Sequence, residues 1–333
     1  MRRLLVLVFA VVAAAASEGY HVINKIKIGG AGGWDYVTMD SASRRLYVSN
    51  ATRVVVVDVE SGSVAGEIPD TQGVHGITLA PELNRGFTSN GRANNVTIFD
   101  LKTLKAVGEV KTGQNPDAIL YDSTSGRVFT FNGRSKDSTA FDAKTGEVAA
   151  TIPMGGKPEF AVADGRGKIY VNVEDTSEIV EIDARKPAVT RRSSLSPCEE
   201  PSGLAMDVKR RRLFSVCRNK MMVVTDADSG KILGTPAIGQ GTDGAGFDPG
   251  AGIAFSSNGD GTLTLVKEVA GKYEAVENVT TERGARTMAV DGKTHRVYLP
   301  AAEYGPAPAP TEKQPRPRPP VLPDTFHILV IGK

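Results

Sequence analysis

Short apolar runs alternate with polar turns along almost the whole chain. In one stretch the runs occupy residues 37–40, 46–50, 54–59 and 64–68. Asp, Ser, Gly and Asn recur in the turns, because these residues tolerate left-handed backbone or bond to it locally. Apolar runs of this length, bounded by such residues, are typical of β-strands. The pattern therefore predicts four antiparallel strands joined by tight turns.

This unit repeats about every 42 residues, a period that marks solenoids, propellers or arrays. Three positions show the repeat independently. An aromatic residue lies in each second run: Tyr47, Phe87, Phe129, Tyr170, Phe214, Phe255 and Tyr298. An Asp ends most third runs: Asp58, Asp100, Asp142, Asp183 and Asp226, with Lys267 in the sixth place. Another Asp ends most first runs, where we expect it to accept hydrogen bonds from the next turn: Asp40, Asp122, Asp164, Asp207, Asp248 and Asp291, with Ala80 in the remaining place.

Six complete units are followed by a seventh that lacks its fourth strand. The chain ends after runs at 287–291, 296–300 and 326–331, whereas a run at 22–28 belongs to no unit of its own. Adding that run to the seventh unit pairs both free edges and closes the ring. The sequence thus predicts one all-β domain over 20–333. We expect a seven-bladed β-propeller with four antiparallel strands per blade, whose N-terminal strand completes the C-terminal blade.

The repeat also resembles a known family. The letters RLYVSN at 45–50 and VVVVDVESG at 54–62, with their copies, are similar to the YVTN repeat of YncE-like exported bacterial proteins. The resemblance covers essentially all of 20–333. It implies a propeller in the periplasm or at the cell surface, and single-stranded DNA binding is attributed to some members. It is specific for fold and uninformative about chemistry, because the motif encodes strands and turns.

The first residues differ in character from the repeats. Arg2 and Arg3 precede an apolar run at 4–13 and three alanines at 14–16, as in a secretory signal peptide. We expect a signal peptide over 1–16 and a periplasmic or secreted location, with an uncleaved anchor as the alternative. Cleavage leaves no membrane span and reduces Lys plus Arg from 40 to 38, which equals Asp plus Glu. A neutral chain disfavours nucleic acid as the main partner. We expect a monomer.

Two cysteines, Cys198 and Cys217, remain in this exported chain. The repeat places Cys217 at the end of a second strand and Cys198 in the preceding connection between blades. Both positions reach the same face of the ring, so we expect a disulfide. Two buried free thiols are the alternative.

In a propeller the innermost strand of each blade begins on the face that carries the connections between blades. Aligned starting positions should therefore ring one mouth of the channel: Asp35, His75, Asp117, Glu159, Ser202, Asp243 and Arg286. The acids would repel one another unless a cation, Arg286 or raised pKa values relieve their charge. A divalent cation with ligands drawn from His75, Asp117, Glu159 and Asp243 fits such a ring. The alternative is a set of solvated residues at a wet mouth.

Two further features should reach this mouth. Arg92 and Arg134 follow Asn-Gly turns, which do not require them, so they are candidate contacts for an anionic ligand. A proline-rich insertion at 301–324 interrupts blade seven, and its composition favours extended chain without a core. It is either a disordered decoration or a lid over the mouth.

The chain contains no HExxH motif, phosphate-binding loop, haem site or Gly-x-Ser-x-Gly elbow. The leading hypothesis is a non-catalytic exported propeller whose polar mouth binds a small molecule or a protein partner. A metal-assisted hydrolase or lyase, similar to a lactonase, is the first alternative, and it would use His75, Asp117 and Glu159 around a cation. Single-stranded DNA binding is the second, and the neutral charge opposes it.

Overall fold

The computed structural model describes residues 19–30, 33–311 and 317–333. The expected signal peptide at 1–16 lies outside the described residues. Within them, 28 strands form seven four-stranded antiparallel sheets, each of which is one blade. No described helix is long and apolar enough to cross a membrane.

The strands follow one another in the order that the repeat predicts. The N-terminal strand is β1 (His21–Lys27), and blade 1 contains β2 (Val37–Asp40), β3 (Arg45–Asn50), β4 (Arg53–Asp58) and β5 (Ser63–Ile68). Blades 2 and 3 contain β6 (Val74–Ala80), β7 (Arg85–Asn90), β8 (Asn95–Asp100), β9 (Ala106–Lys111), β10 (Pro116–Asp122), β11 (Arg127–Asn132), β12 (Asp137–Asp142) and β13 (Val148–Pro153). Blades 4 and 5 contain β14 (Pro158–Ala163), β15 (Lys168–Val173), β16 (Glu178–Asp183), β17 (Ala188–Ser194), β18 (Pro201–Asp207), β19 (Arg212–Cys217), β20 (Met221–Asp226) and β21 (Ile232–Gly234). Blades 6 and 7 contain β22 (Thr242–Asp248), β23 (Ile253–Asn258), β24 (Thr262–Val269), β25 (Lys272–Thr280), β26 (Ala289–Asp291), β27 (Arg296–Ala301) and β28 (His327–Gly332).

Blade 7 is completed by the N-terminal strand. Its strand order is β26, β27, β28 and β1 from the inside outwards, and β1 runs antiparallel to β28. The pairing extends from His21 opposite Gly332 to Lys27 opposite His327. The sequence-based prediction of seven blades and of this closure is confirmed.

The repeated aromatic residues pack between blades. Tyr47 of blade 1 meets Phe99 of blade 2 with ring centroids 6.0 Å apart, and Phe214 of blade 5 stacks on Phe247 of blade 6 at 5.4 Å. Each aromatic buries a large apolar area against the neighbouring sheet. The core is therefore divided among the interfaces between blades, and the axis of the ring stays available for polar groups.

The Asp residues that end the first strands hold the following turns. Asp40 Oδ1 accepts hydrogen bonds from the backbone N–H groups of Ala42 and Ser43, as the sequence predicts. Some of these residues also join blades. The carboxylate of Asp291 in blade 7 binds Arg44 of blade 1 at 2.5 Å. Arg211 and Asp164 (blades 5 and 4), and His295 and Asp248 (blades 7 and 6), make the equivalent contact.

Candidate functional site

The starts of the innermost strands meet around one mouth of the channel. Neighbouring starts are joined by backbone hydrogen bonds, from Tyr36 N to His75 O at 3.2 Å and from Gly244 N to Arg286 O at 2.7 Å. Thr287 Oγ1 also donates to Asp35 O at 2.6 Å. These bonds hold the first residues of blades 1, 2, 6 and 7 in fixed positions. The geometry of the side chains at the mouth therefore follows from the ring itself.

Asp35, His75 and Asp117, from three successive blades, form one cluster. His75 Nδ1 donates to Asp35 Oδ2 at 2.5 Å and lies 3.7 Å from Asp117 Oδ1. One ligand atom from each of the three residues lies within 4.8 Å of the others. All three side chains are largely buried. One imidazole and two carboxylates at this spacing are suited to hold a transition-metal cation.

The other two acids at the mouth have cationic partners of their own. Lys157 Nζ lies 3.0 Å from Glu159 Oε2 and also binds Glu174. Arg286 Nε lies 3.2 Å from Asp243 Oδ2. Sequence reasoning missed Lys157, although the residue stands only two positions before Glu159. Among the described residues, Asp35 and Asp117 share His75 as their one ion-pair partner.

Burial and mutual repulsion change the protonation of the mouth. Burial raises the pKa of Asp117 to about 7, and Asp35 adds to the shift while His75 opposes it. Burial and the charge of Asp117 raise the pKa of Glu159 to about 8. Burial raises the pKa of Asp243 to about 6 against the effect of Arg286. Burial lowers the pKa of His75, but the bond to Asp35 and the charge of Asp117 outweigh it and raise the pKa to about 9. The mouth therefore holds protons that a bound cation could replace.

Tyr36 closes the channel directly beneath these groups. Its ring reaches from blade 1 to Phe160 of blade 4, on the opposite side of the ring, with centroids 5.0 Å apart. Burial, and then the charges of Asp117 and Glu159, raise the pKa of the Tyr36 hydroxyl. The hydroxyl therefore lies among the acids. We call this polar mouth, with the Tyr36–Phe160 contact across it, the cup.

The remaining candidates lie outside the cluster. Ser202 Oγ donates to Thr242 O at 3.3 Å, which ties it to the backbone of blade 6. Arg92 and Arg134 are exposed in turns of blades 2 and 3, and neither makes an ion pair with any described residue. The structure does not bring these three side chains into contact with His75.

Cys198 and Cys217 are joined by a disulfide, with Cα atoms 5.5 Å apart. Both residues are buried, in a cluster with Leu195 and Met221 at the mouth end of blade 5. The bond fixes the connection between blades 4 and 5 to the end of β19. It stabilises the rim of the mouth and contacts none of the acids.

Four raised pKa values predict a falling stability with rising pH. Each group binds its proton more tightly in the folded state, so the combined contribution of these four groups to the free energy of unfolding declines from about pH 4 to about pH 9. Asp117→Asn removes a buried carboxylate and lowers the pKa of His75. In urea unfolding without metal, this variant should be about 1 kcal/mol more stable than the parent at pH 8 and gain nothing at pH 5. Asp70→Asn, an exposed control, should leave the free energy of unfolding unchanged at both pH values. An equal effect of Asp117→Asn at pH 5 and pH 8 would contradict the prediction.

No family model and no curated protein matches this chain. A solved structure titled Kuenenia stuttgartiensis Hydrazine Synthase is similar in fold, with a TM-score of 0.73 and 14% sequence identity. The similarity covers 81% of this chain and 92% of that chain. At this identity it shows the β-propeller fold and nothing about activity.

Proposed function

We propose that this chain is an exported, non-catalytic β-propeller similar to the YncE-like proteins, which binds a ligand containing a divalent cation at its polar mouth. Asp35, His75 and Asp117 would be the cation ligands. The observation that carries the proposal is the convergence of these three groups from separate blades within 4.8 Å. Export is supported by the signal-like N-terminal sequence and by the disulfide, because disulfides persist in oxidising compartments.

The balance of charge at the mouth also supports a cation. Asp35, Asp117, Glu159, Glu174 and Asp243 surround the cup, whereas the facing cations are His75, Lys157 and Arg286. With every acid ionised, five carboxylates face three cations. Asp117 and Glu159, whose pKa values are about 7 and about 8, hold part of this excess as protons at neutral pH. A divalent cation would replace these protons, and the proposed ligands would hold it next to Asp117.

Calorimetric titration of the metal-free protein with Zn²⁺, Mn²⁺ and Ca²⁺ tests the proposal. We expect saturable binding of at least one of these ions at one site per chain. The double substitution Asp35→Ala with Asp117→Ala should abolish it, because an imidazole alone remains. Asp70→Asn, which removes an exposed carboxylate elsewhere, should bind as the parent does. Equal binding by the double variant would place the cation at another site.

A metal-assisted hydrolase at the same residues is the second candidate function. The favouring observation is that Asp117 and Glu159 have pKa values of about 7 and about 8, which suit carboxyl groups to proton transfer near neutral pH. Hydrolysis of γ-butyrolactone or phenyl acetate by the metal-loaded protein, lost in Glu159→Gln, would support catalysis. Absence of turnover with a saturated metal site would favour binding alone.

No described contact at the mouth favours single-stranded DNA. The cup carries more carboxylates than cations, and carboxylates repel the phosphates that dominate affinity for nucleic acids. We therefore do not propose DNA binding for this surface.

A further inference from the structure

A cavity of about 800 Å³ adjoins the mouth beneath the proline-rich insertion. Where the insertion departs from blade 7, its two ends pair as a short stem. Gly305 N donates a hydrogen bond to Pro320 O, and Leu322 N donates one to Glu303 O, both at 2.9 Å. The stem forms one wall of the cavity. The opposite wall consists of the connections that enter blades 6 and 7, and Arg286 lines both the cavity and the acidic mouth.

Positive charge dominates the walls of this cavity. Three guanidinium groups line it, from Arg283, Arg286 and Arg318. Among the described residues, Arg283 and Arg318 form no ion pair, and Asp260 is the one acid of the described lining. The Asp260 carboxylate is already engaged, because it accepts hydrogen bonds from Gln240 N at 2.7 Å and from Thr262 N at 3.1 Å. Two arginines are therefore left to meet a charge that the described chain does not supply.

Aromatic and aliphatic groups complete the lining. Trp34 stacks on Phe326 on one side, with centroids 5.0 Å apart, and lines the cavity beside Tyr304. Tyr304 lines the same cavity as Arg283, Arg286 and Arg318. Burial raises the pKa of its hydroxyl, and the three guanidinium charges oppose that shift. Rings and guanidinium groups together are suited to a flat, anionic ligand.

Glycine allows the walls of the cavity to pack closely on one another. Gly284 has φ +86°, and a Cβ atom there would collide with the Tyr304 hydroxyl. Gly259 is similarly packed, because a Cβ atom there would lie 2.9 Å from the carbonyl oxygen of Gly241. The two glycines therefore let Tyr304 and the connection at Gly241 sit directly against the backbone that lines the cavity.

We propose that this cavity binds a small organic anion, in which a carboxylate or phosphate meets Arg283 and Arg318 and a flat apolar body lies against Trp34 and Tyr304. This site is separate from the cation site at Asp35, His75 and Asp117. Arg286 lies between the two sites and is already paired with Asp243, so it adds positive potential and contributes less to direct binding.

The single tryptophan of the chain makes the proposal directly measurable. Because Trp34 lines the cavity, its fluorescence reports occupancy. Titration of the full-length protein with phenyl phosphate and with benzoate should give a saturable change in emission. Arg283→Ala and Arg318→Ala should each weaken binding of these probes about tenfold or more, since each removes a charge-assisted hydrogen bond. Benzyl alcohol, which has the same ring without the charge, should bind at least about tenfold more weakly.

Arg166→Ala is the matched control, because Arg166 is an exposed arginine in a turn at the opposite end of blade 4. It should leave both affinities unchanged. Inorganic phosphate distinguishes recognition of the charge alone from recognition of the whole probe, and it should bind more weakly than phenyl phosphate. Equal binding of benzyl alcohol, or wild-type affinity in both arginine variants, would overturn the proposal. Both variants should keep the divalent-cation binding of the parent, so failure at this cavity is distinguishable from failure at the mouth.

Discussion

Asp291→Asn is expected to lower the free energy of unfolding by about 3–5 kcal/mol, the usual cost of breaking a buried ion pair. The Asp291 side chain is fully buried, and its carboxylate binds Arg44 at 2.5 Å, where the guanidinium is 11% exposed. The substitution leaves Arg44 with the exposed carboxylate of Glu60 alone, 3.2 Å from Nε. The buried end of the guanidinium then has no anionic partner at the junction between blades 1 and 7. That junction is where the two ends of the chain close the ring, so the loss affects the closure of the whole propeller. Urea unfolding at neutral pH measures the effect.

Asp58→Asn is the matched control for this prediction. Asp58 accepts hydrogen bonds from the backbone N–H groups of Glu60 and Ser61 within one exposed turn, and Asn keeps an oxygen for the same bonds. Its cost should be much smaller than that of Asp291→Asn. Adding Arg44→Met to Asp291→Asn should recover part of the loss, because it removes a buried charge whose one remaining partner is the exposed Glu60. A cost for Asp291→Asn no larger than that of Asp58→Asn would show that the pair does not hold the ring closed.

His75→Ala should weaken divalent-cation binding by more than about 100-fold. Loss of an outer partner of a metal ligand already costs 10–100-fold, and His75 is the one nitrogen donor in the cluster of three. The fold should survive, because His75 contacts Asp35 and Asp117 at the rim and takes no part in the apolar core. Calorimetric titration with the ion that the parent protein binds gives the affinity.

His21→Ala controls for the loss of any imidazole, because His21 is exposed on β1. Its cation affinity should equal that of the parent. If His75→Ala also binds as the parent does, His75 is not a ligand and the proposed cation site is wrong.

The fold was predictable from the sequence because the same pattern of strands and turns repeats about every 42 residues. Strand positions recur with the aromatic and Asp residues, and each unit places the same residue types at the same strand ends. The closure of blade 7 was also predictable, because the run at 22–28 belongs to no unit and the seventh unit lacks its fourth strand. The contact of Arg44 with Asp291 was not predictable, because it depends on the neighbouring blade and not on the local turn.

The candidate site was predictable in outline and not in detail. Alignment of the strand starts indicated that Asp35, His75 and Asp117 lie on the same face of the ring. The distances between their side chains depend on the tilt of each blade, which the sequence pattern does not give. Tyr36 directly follows Asp35 in the sequence. No local pattern indicates that its side chain extends across the channel to Phe160. The arginine-lined cavity depends on how the insertion folds back on blade 7, and that segment has no counterpart in the repeat.

Proton release on cation binding at pH 7 tests the central claim most directly. His75, with a pKa of about 9, is protonated at this pH in the metal-free protein and must lose its proton to coordinate an ion. Calorimetry in buffers of different ionisation enthalpy should therefore show one ion bound per chain, with about one proton or more released. Binding without proton release, or no saturable binding of Zn²⁺, Mn²⁺ or Ca²⁺, would contradict a cation site at Asp35, His75 and Asp117.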